Sequence, residues 1–501
     1  MWKRVRLTRG LGTRAASRAM KFSGLKMMCV VPYPKHSLRS RGKLSRYGVL
    51  SWYRTLPFGV SESGFSESNQ RIVVKFHWSD TQTPCATAIL DPMNTPSKNR
   101  QYRAVLGWLA MLMSIATSGF AQTGADEFAA CTARFKEEAA SAGISAAVAN
   151  DVLDNVQWVS RVIELDRQQP EFTTTFPDYY RKRVSDTRVE KGRAMLIEHG
   201  ALLQSVSDRY GVPPHYLVAF WGLETNFGGY LGKMAIPDSL ATLACDQRRS
   251  KFFTAELINA MRIIEAGDVS RESMTGSWAG AMGHVQFMPS AFLNYAVDGD
   301  GDGRRDLWGS IPDAMSSAGN FLNSLGWEPG LRWGREVIVP PGFDYAQATR
   351  KVKKPLREWS AAGVTDAFGN SLPTIDLPAS ILVPGGAAGP AFAVYANFDV
   401  IMRWNRSEFY AISVGRLADR IAGAGGLTQP PPEDGLHLSR DMVMTLQTQL
   451  NQLGFDTGKP DGIFGSGTRR ALRAYQSANN LTADGYPSRQ MLDAVAASAS
   501  R

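Results

Sequence analysis

The sequence predicts an α+β fold in which helix dominates, followed by a second, smaller helical domain. Apolar residues recur at helical spacing through most of the chain after residue 122, in the stretches 126–154, 190–210, 213–227 and 252–265. Between residues 333 and 384 the pattern changes to short apolar stretches broken by Gly and Pro, which is typical of a few strands or extended loops. Helical spacing returns near the C-terminus, at Val443, Leu446, Leu450 and Leu453.

The positive charge of the chain is confined to its N-terminal part. Of 501 residues, 56 are Lys or Arg and 46 are Asp or Glu, which gives a net charge of +10. Residues 1–103 hold 19 of the basic residues and only 4 of the acidic ones, so residues 104–501 carry a net charge of −5. A basic surface is therefore not expected after residue 103, and nucleic acid is excluded as a partner.

A secretory signal peptide is predicted at residues 93–121. Its parts stand in order: the basic residues Arg100 and Arg103, the apolar run AVLGWLAMLMSIA, and the small residues Gly119 and Ala121, after which cleavage is expected. The apolar run is shorter than the ~20 residues that a membrane helix needs, so we expect no membrane span. The protein is thus expected in the periplasm, secreted through a cleavable signal peptide.

The position of the signal peptide bears on where translation starts. Signal peptides stand at the N-terminus, and Met93 opens a suitable start, MNTPSKNRQYRAVLG. Residues 1–92 are therefore interpreted as an extension upstream of a mis-assigned start. The alternative is a genuine long basic extension.

A Pro-rich stretch separates two domains. Residues 428–436 contain three consecutive prolines among polar residues, the composition of a semi-rigid linker. The larger domain then covers residues 122–427 and the smaller one residues 437–501. Of the four cysteines, Cys131 and Cys245 follow the signal peptide, and we expect a disulfide between them in an oxidising compartment. The alternative is two buried thiols.

Glu224 is the candidate acid/base. It lies in GVPPHYLVAFWGLETNFGGY, where Pro-Pro suits the start of a helix and Gly-Gly its end. Leu217, Phe220 and Trp221 come seven, four and three residues earlier, so the carboxyl shares the apolar face. Loss of hydration should raise the pKa of this carboxyl and keep a proton available. On the residues alone, a Glu at the end of an amphipathic helix is more often a capping or surface carboxylate.

Five ordered motifs resemble one known enzyme family. They are GVPPHYLVAFWGLETNFG, SLATLACDQRR, SWAGAMGHVQFMPSAF, DGDGDG and NFDVIMRWNRS, which together cover roughly residues 128–421. In this order they resemble the lytic murein transglycosylase B family. The resemblance implies a lysozyme-like catalytic domain of mainly helical α+β fold. The segments DGIFGSGT and LTADG resemble small three-helix peptidoglycan-binding domains.

The resemblance implies a peptidoglycan lytic transglycosylase. Such an enzyme cleaves the β-1,4 bond between N-acetylmuramic acid and N-acetylglucosamine and leaves 1,6-anhydromuramoyl ends, with Glu224 as the single general acid/base. No cofactor is required for that chemistry. The expected partners are peptidoglycan glycan strands, peptidoglycan held by the C-terminal domain, and other cell-wall enzymes. Two alternatives stay open: a lysozyme-type muramidase that uses water, and a noncatalytic cell-wall-binding scaffold.

Six further residues are substrate-site candidates by the same resemblance. They are Ser277, Gln286, Asn405, Trp404, Arg248 and Arg249. The two arginines suit muramoyl carboxylate or peptide groups, because a guanidinium binds carboxylates in a planar fork. Trp404 stands where the family has Tyr, which puts any hydroxyl-dependent role in doubt. Phe321 likewise replaces a Tyr.

The DGDGDG loop is a candidate calcium site. Its carboxylates alternate as in an EF-hand loop, but the twelfth position is Gly309 in place of Glu. A later Asp would then close the loop. The candidate ligands are Asp298, Asp300, Asp302, Arg304 and Asp313. Calcium here would brace the loop and take no part in the chemistry; the alternative is a solvated acidic turn.

Overall fold

A computed structural model of the chain describes residues 127–168, 174–433 and 436–501, together with five short strands before residue 91. The chain divides into two units, Met1–Met113 and Ser114–Arg501. In the first unit, β1 (Met20–Phe22) pairs with β2 (Leu25–Met27), and a three-stranded antiparallel sheet contains β3 (Phe58–Ser61), β4 (Ile72–Trp78) and β5 (Thr87–Leu90). The predicted signal peptide and its cleavage site lie outside the described residues.

Helices build most of the second unit, which confirms the predicted mainly helical α+β class. In the larger domain they are α1 (residues 127–141), α2 (Ala146–Leu153), α3 (Ser160–Gln168), α4 (Phe176–Arg183), α5 (Asp186–Glu198), α6 (Gly200–Tyr210), α7 (Pro214–Thr225), α8 (Ile236–Cys245), α9 (Ser250–Glu265), α10 (Pro289–Tyr295), α11 (Ile311–Ser324), α12 (Leu356–Ala361), α13 (Ala396–Trp404) and α14 (Glu408–Ile421). The smaller domain contains α15 (Arg440–Gln452), α16 (Ser466–Ala478) and α17 (Arg489–Ala499). None of the helices in the described part of the chain is both long and apolar enough to cross a membrane.

Strands occur where the sequence pattern changes. An antiparallel sheet has the order β10-β8-β12-β11-β9, with β8 at Gly334–Ile338, β9 at Lys354–Pro355, β10 at Thr365–Asp366, β11 at Pro378–Leu382 and β12 at Ala391–Val394. Strands β8 to β11 lie within the predicted region, residues 333–384, whereas β12 lies beyond it. A separate pair joins β6 (Met234–Ala235) to β7 (Thr275–Gly276).

Helix α7 runs through the main hydrophobic core. All residues from Tyr216 to Leu223 are buried, and the helix is apolar on every side, as expected for a helix surrounded by core. Burying large aromatic side chains such as Phe220 and Trp221 contributes about 1.5–3 kcal/mol each to folding. One face of the sheet joins the same core through Phe392, while its other face covers a smaller core around Trp359. The core therefore surrounds the middle of α7, and only the two ends of the helix, at Pro214 and Glu224, are partly exposed.

A disulfide joins Cys131 in α1 to Cys245 at the end of α8. The closed loop spans 114 residues of sequence, and a cross-link over such a span restricts the unfolded chain strongly. This pair is the one expected from the position of the signal peptide.

The smaller domain packs its three helices around Leu446, Leu450, Leu472, Tyr475 and Val495. Two buried glutamines hold its two Asp-Gly turns in the same way. Gln447 accepts from the backbone N–H groups of Asp461 and Gly462, and Gln476 accepts from the N–H of Gly485. The recurring Asp-Gly pairs of the sequence are therefore turns fixed by a glutamine from a neighbouring helix.

The smaller domain also contacts the sheet of the larger one. A carboxylate oxygen of Asp484 accepts from the backbone N–H of Ala387, in the turn between β11 and β12, at 2.8 Å. The start of the Pro-rich stretch is fixed as well, because Glu336 accepts from the N–H groups of Thr428 and Gln429. These contacts dock the smaller domain against that turn.

Candidate active site

Glu224 occupies the penultimate position of α7, where the helix leaves the core. Two consecutive left-handed residues, Asn226 (φ 53°) and Phe227 (φ 60°), end the helix. The hydroxyl of Thr225 donates to the carbonyl of His284 and accepts from the N–H of Gly228. The helix end is thus fixed from both sides, and Glu224 is half-buried there.

Two aromatic donors hold one oxygen of the Glu224 carboxyl. The hydroxyl of Tyr410 donates to Oε1 at 2.5 Å, and the indole Nε1–H of Trp404 donates to the same atom at 2.9 Å. No other described residue donates to this carboxyl, so Oε2 is the oxygen suited to carry a proton. A general acid needs such an oxygen directed at its substrate.

Burial is the main cause that raises the pKa of Glu224. The hydrogen bonds from Tyr410 and Trp404 and the positive charge of Arg183 lower it in turn, but they do not cancel the effect of burial. Among the described residues, Arg183 is the charged group that acts on the Glu224 pKa, and no acidic side chain does so. A carboxyl whose pKa is raised by burial has the property that a general acid needs.

Trp404 belongs to an aromatic cluster beside the carboxyl. Its ring lies 4.5 Å from Phe220, 5.1 Å from Phe321 and 5.5 Å from Phe287, measured between centroids. The indole of Trp404 thus supplies a hydrogen-bond donor to the carboxyl. Phe321 stacks on Tyr295 at 4.5 Å and contributes only apolar contact.

Ser277 and Gln286 lie on the loop that closes over the end of α7. Ser277 Oγ accepts from the N–H of Ala281 and fixes the small-residue turn. Gln286 has a left-handed backbone (φ 51°), which a non-glycine residue adopts at a cost, and its Nε2 donates to the carbonyls of Leu231 and Gly283. Its Oε1 has no partner among the described residues, so this oxygen is free to accept from a ligand.

Asn405 follows Trp404 directly and is exposed. Its Oδ1 accepts from the N–H of Ser407, whose own side chain caps α14. This turn leads to Tyr410, so Asn405 stands between the two donors to Glu224.

Arg248 and Arg249 lie elsewhere. Both pair with the buried carboxylate of Asp166, Arg248 at 3.3 Å, and Arg249 also stacks over Phe253. They line an open groove of about 1030 Å³ whose lining lacks Glu224, Ser277, Gln286 and Trp404. In this structure their charge is therefore engaged by Asp166.

Three residues near Glu224 were not predicted from the sequence. Tyr410 lies 186 residues from Glu224 and belongs to no quoted motif. Arg183 stands at the end of α4, also outside the motifs. His284, which lies within the motif SWAGAMGHVQFMPSAF, accepts the indole N–H of Trp221 at Nδ1 over 2.9 Å and donates its backbone N–H to the carbonyl of Leu307. The sequence signal for Tyr410 was its place beside Phe409, shortly after the motif NFDVIMRWNRS.

The acidic loop groups three of its five candidate ligands. One carboxylate oxygen each of Asp298, Asp300 and Asp302 lies within 4.8 Å of the others. Asp313 is fully buried and accepts from three backbone N–H groups, those of Gly299, Asp300 and Asp306. Its two oxygens thus brace the loop from beneath, and the structure places it outside the group. The guanidinium of Arg304 is directed at the carbonyl of Asp268.

Comparisons with known proteins identify the family of both domains. Residues 127–419 match the family model described as "Transglycosylase SLT domain", and residues 439–495 match "Putative peptidoglycan binding domain". Membrane-bound lytic murein transglycosylase B of Escherichia coli K12 is 31% identical over 293 residues, which cover 54% of this chain and 77% of that protein.

Solved structures give the same result. SltB3 from Pseudomonas aeruginosa in complex with NAG-NAM-pentapeptide has 43% identity and a TM-score of 0.71 over 74% of this chain and 99% of that one. Escherichia coli Slt35 in complex with calcium has 29% identity and a TM-score of 0.51 over 58% of this chain and 92% of that one. The predicted resemblance is confirmed: the chain belongs to the transglycosylase SLT domain family and carries a C-terminal peptidoglycan-binding domain.

Proposed function

We propose that this lytic transglycosylase cleaves the β-1,4 bond between N-acetylmuramic acid and N-acetylglucosamine and forms 1,6-anhydromuramoyl ends, with Glu224 as its single general acid/base. The observation that carries the proposal is the Glu224 carboxyl itself. Its pKa is raised by burial, Oε1 is held by two donors, and no acidic side chain of the described residues acts on it.

The reaction has two proton transfers through one carboxyl. Oε2 of Glu224 first donates its proton to the glycosidic oxygen, the bond between that oxygen and C1 of the muramoyl residue breaks, and the N-acetylglucosamine product leaves with a 4-hydroxyl. The resulting carboxylate then accepts the proton of the muramoyl 6-hydroxyl while that oxygen bonds to C1. No water is consumed, and Glu224 is protonated again at the end.

Tyr410 and Trp404 stabilise Glu224 between the two proton transfers, when its carboxyl is ionised. Hydrogen bonds to a carboxylate are roughly twice as strong as those between neutral groups, so both donors stabilise Glu224 most while it is ionised. Ser277, Gln286 and Asn405 are assigned to the substrate, with the free Oε1 of Gln286 as an acceptor for a sugar hydroxyl or amide.

The muramidase and scaffold alternatives give different products. Purified peptidoglycan would be incubated with the wild-type enzyme and with Glu224→Gln, and the soluble products analysed by mass spectrometry. We expect anhydro-muropeptides from the wild type and none from the variant. Reducing ends would indicate hydrolysis by water, and binding without release would indicate a scaffold.

We also propose the location and the domain limits stated from the sequence. Translation starts at Met93, residues 93–121 direct export to the periplasm and are removed, residues 122–427 act on the glycan and residues 437–501 hold it. Holding the insoluble polymer raises the local substrate concentration for the catalytic domain. N-terminal sequencing of the precursor and of the mature protein tests this; a precursor that starts at Met1 contradicts it.

The acidic loop fits a structural calcium ion. Asp298, Asp300 and Asp302 offer oxygen ligands, which calcium prefers, and hydrogen bonds from backbone N–H groups lower the pKa of Asp298 and favour its ionised form. Bound calcium would hold the loop that leads through Leu307 to His284. Titration calorimetry should detect heat with calcium in the wild type and none in Asp300→Asn.

A further inference from the structure

Arg183 is a cation without a counter-charge at the edge of the candidate active site. It ends α4, is half-buried, and its guanidinium lies 5.4 Å from the ring centre of Tyr179, one helical turn earlier. In the part of the chain that the structure describes, no carboxylate pairs with it. The nearby arginines differ: Arg181 pairs with Asp178 and Arg420 with Asp186.

The packing of α4 brings the face that carries Tyr179 against the helix that carries Tyr410. Phe176 and Tyr179 on α4 pack against Phe409 of α14, with ring centres 5.4 Å and 6.0 Å away. The next residue, Tyr410, donates to Glu224. Residues 179 and 183 share one face of the helix, so the guanidinium continues this face beyond Tyr179. Its charge acts on both Glu224 and Tyr410.

An unpaired guanidinium at position 183 opposes the role of Glu224 as a general acid. Its positive charge lowers the pKa of Glu224 and favours the ionised carboxyl, whereas the first step needs the protonated one. A negative group brought in by the substrate would remove this conflict, because it would pair with Arg183 in the planar fork that a guanidinium offers.

We propose that Arg183 binds a carboxylate carried by the muramoyl residue of the substrate, either on its lactyl arm or on its stem peptide. The inference rests on the proposed function. Arg248 and Arg249, the arginines predicted for this purpose, already pair with Asp166 in a groove that does not include Glu224. Arg183 has the same chemistry, its charge acts on Glu224, and no carboxylate of the described residues pairs with it.

Binding of the carboxylate couples recognition to catalysis. Once Arg183 is neutralised, its effect on Glu224 falls, and the carboxyl holds its proton to higher pH. The protonated form of Glu224 is therefore favoured most when a charged muramoyl residue occupies the site.

Three matched tetrasaccharides of alternating N-acetylglucosamine and N-acetylmuramic acid test the proposal. One carries pentapeptide stems, one carries free lactyl carboxylates, and one carries lactyl amides without charge. Wild type, Arg183→Gln, Arg183→Lys and Lys182→Gln would be compared by kcat/KM and by the pH dependence of kcat/KM. Lys182 is the control, because it is the neighbouring cation on α4 and is exposed.

We expect wild type to favour a carboxylate-bearing substrate over the amide by about tenfold, the typical worth of a partly buried charge pair. Arg183→Gln should reduce that ratio to about one, Arg183→Lys should retain part of it, and Lys182→Gln should leave it unchanged. On the amide, Arg183→Gln should move the basic limb of the profile to higher pH, since a pKa-lowering charge is gone. The charged substrate that loses most identifies the carboxylate.

Two outcomes contradict the proposal. An equal loss on all three substrates would mean that Arg183 is structural, and a wild type without preference would mean that no carboxylate binds it. If the wild type forms no anhydro product from any substrate, the proposed function itself fails. If anhydro products form from all three at equal rates, only the role of Arg183 fails.

Discussion

The hydroxyl of Tyr410 lies 2.5 Å from Oε1 of Glu224 and joins α14 to the end of α7. Burial raises the pKa of Tyr410 well above its ordinary value, so this residue stays a donor at any working pH. The tyrosine therefore fixes which carboxyl oxygen accepts hydrogen bonds and which one remains for the substrate.

Tyr410→Phe should lower kcat by ten- to a hundredfold, because a hydrogen bond to a charged group contributes about 1.5–3 kcal/mol. The same bond lowers the pKa of Glu224, so its loss should raise that pKa and shift the basic limb of the kcat profile to higher pH. Trp404→Phe keeps the aromatic stack and should shift the limb in the same direction. A lower kcat with an unmoved limb would contradict the assignment.

The raised pKa of Glu224 also predicts how stability depends on pH. The folded protein binds this proton more tightly than the unfolded chain, so the stability it provides is complete below the unfolded value of about 4.5 and is lost as pH rises through the folded value. Glu224→Gln has no such proton. Denaturant unfolding of both proteins should therefore show that the stability of the variant rises relative to the wild type as pH increases above about 4.5. A difference that does not change with pH would mean that the carboxyl is not strained by burial.

His284 should act as a support for the catalytic helix. Burial lowers its pKa, which keeps the ring neutral and Nδ1 available to the indole N–H of Trp221. His284→Ala leaves that buried donor without a partner and should cost about 1–3 kcal/mol. His284→Asn restores an acceptor at about the same position and should recover part of the loss. Thermal unfolding and kcat would be measured together; equal losses in both variants would argue that ring packing matters more than the hydrogen bond.

The sequence contained enough information for the helical class and for Glu224, but not for all of its neighbours. Glu224 stands on a helix bounded by Pro-Pro and Gly-Gly, which are local signals. Tyr410 and Arg183 meet it only through the packing of α4 and α14 against α7, and helical spacing does not say which helices pack together.

The paired arginines show a second limit of the sequence. Arg248 and Arg249 resembled free cations because the sequence does not show that Asp166, about 80 residues earlier, is buried beside them. Likewise, Asp313 was expected to face a cation, yet the loop turns its N–H groups towards this carboxylate. Ion pairs and caps between distant segments depend on the tertiary structure and have no local pattern.

The docking of the peptidoglycan-binding domain depends on Gly386. This residue has a left-handed φ of 72°, and a Cβ there would lie 2.5 Å from Cβ of Tyr486 and 2.7 Å from Oδ2 of Asp484, the atom that accepts from Ala387. Gly369→Ala is a matched control, because Gly369 has a similar φ of 85° in open space. Both variants bear the backbone strain, roughly 1–2 kcal/mol, but only Gly386→Ala should separate the domains. Small-angle scattering should then show a larger radius of gyration for Gly386→Ala alone. This variant should also release soluble products from intact peptidoglycan more slowly. Equal radii in the two variants would mean that the Asp484 contact does not hold the domains together.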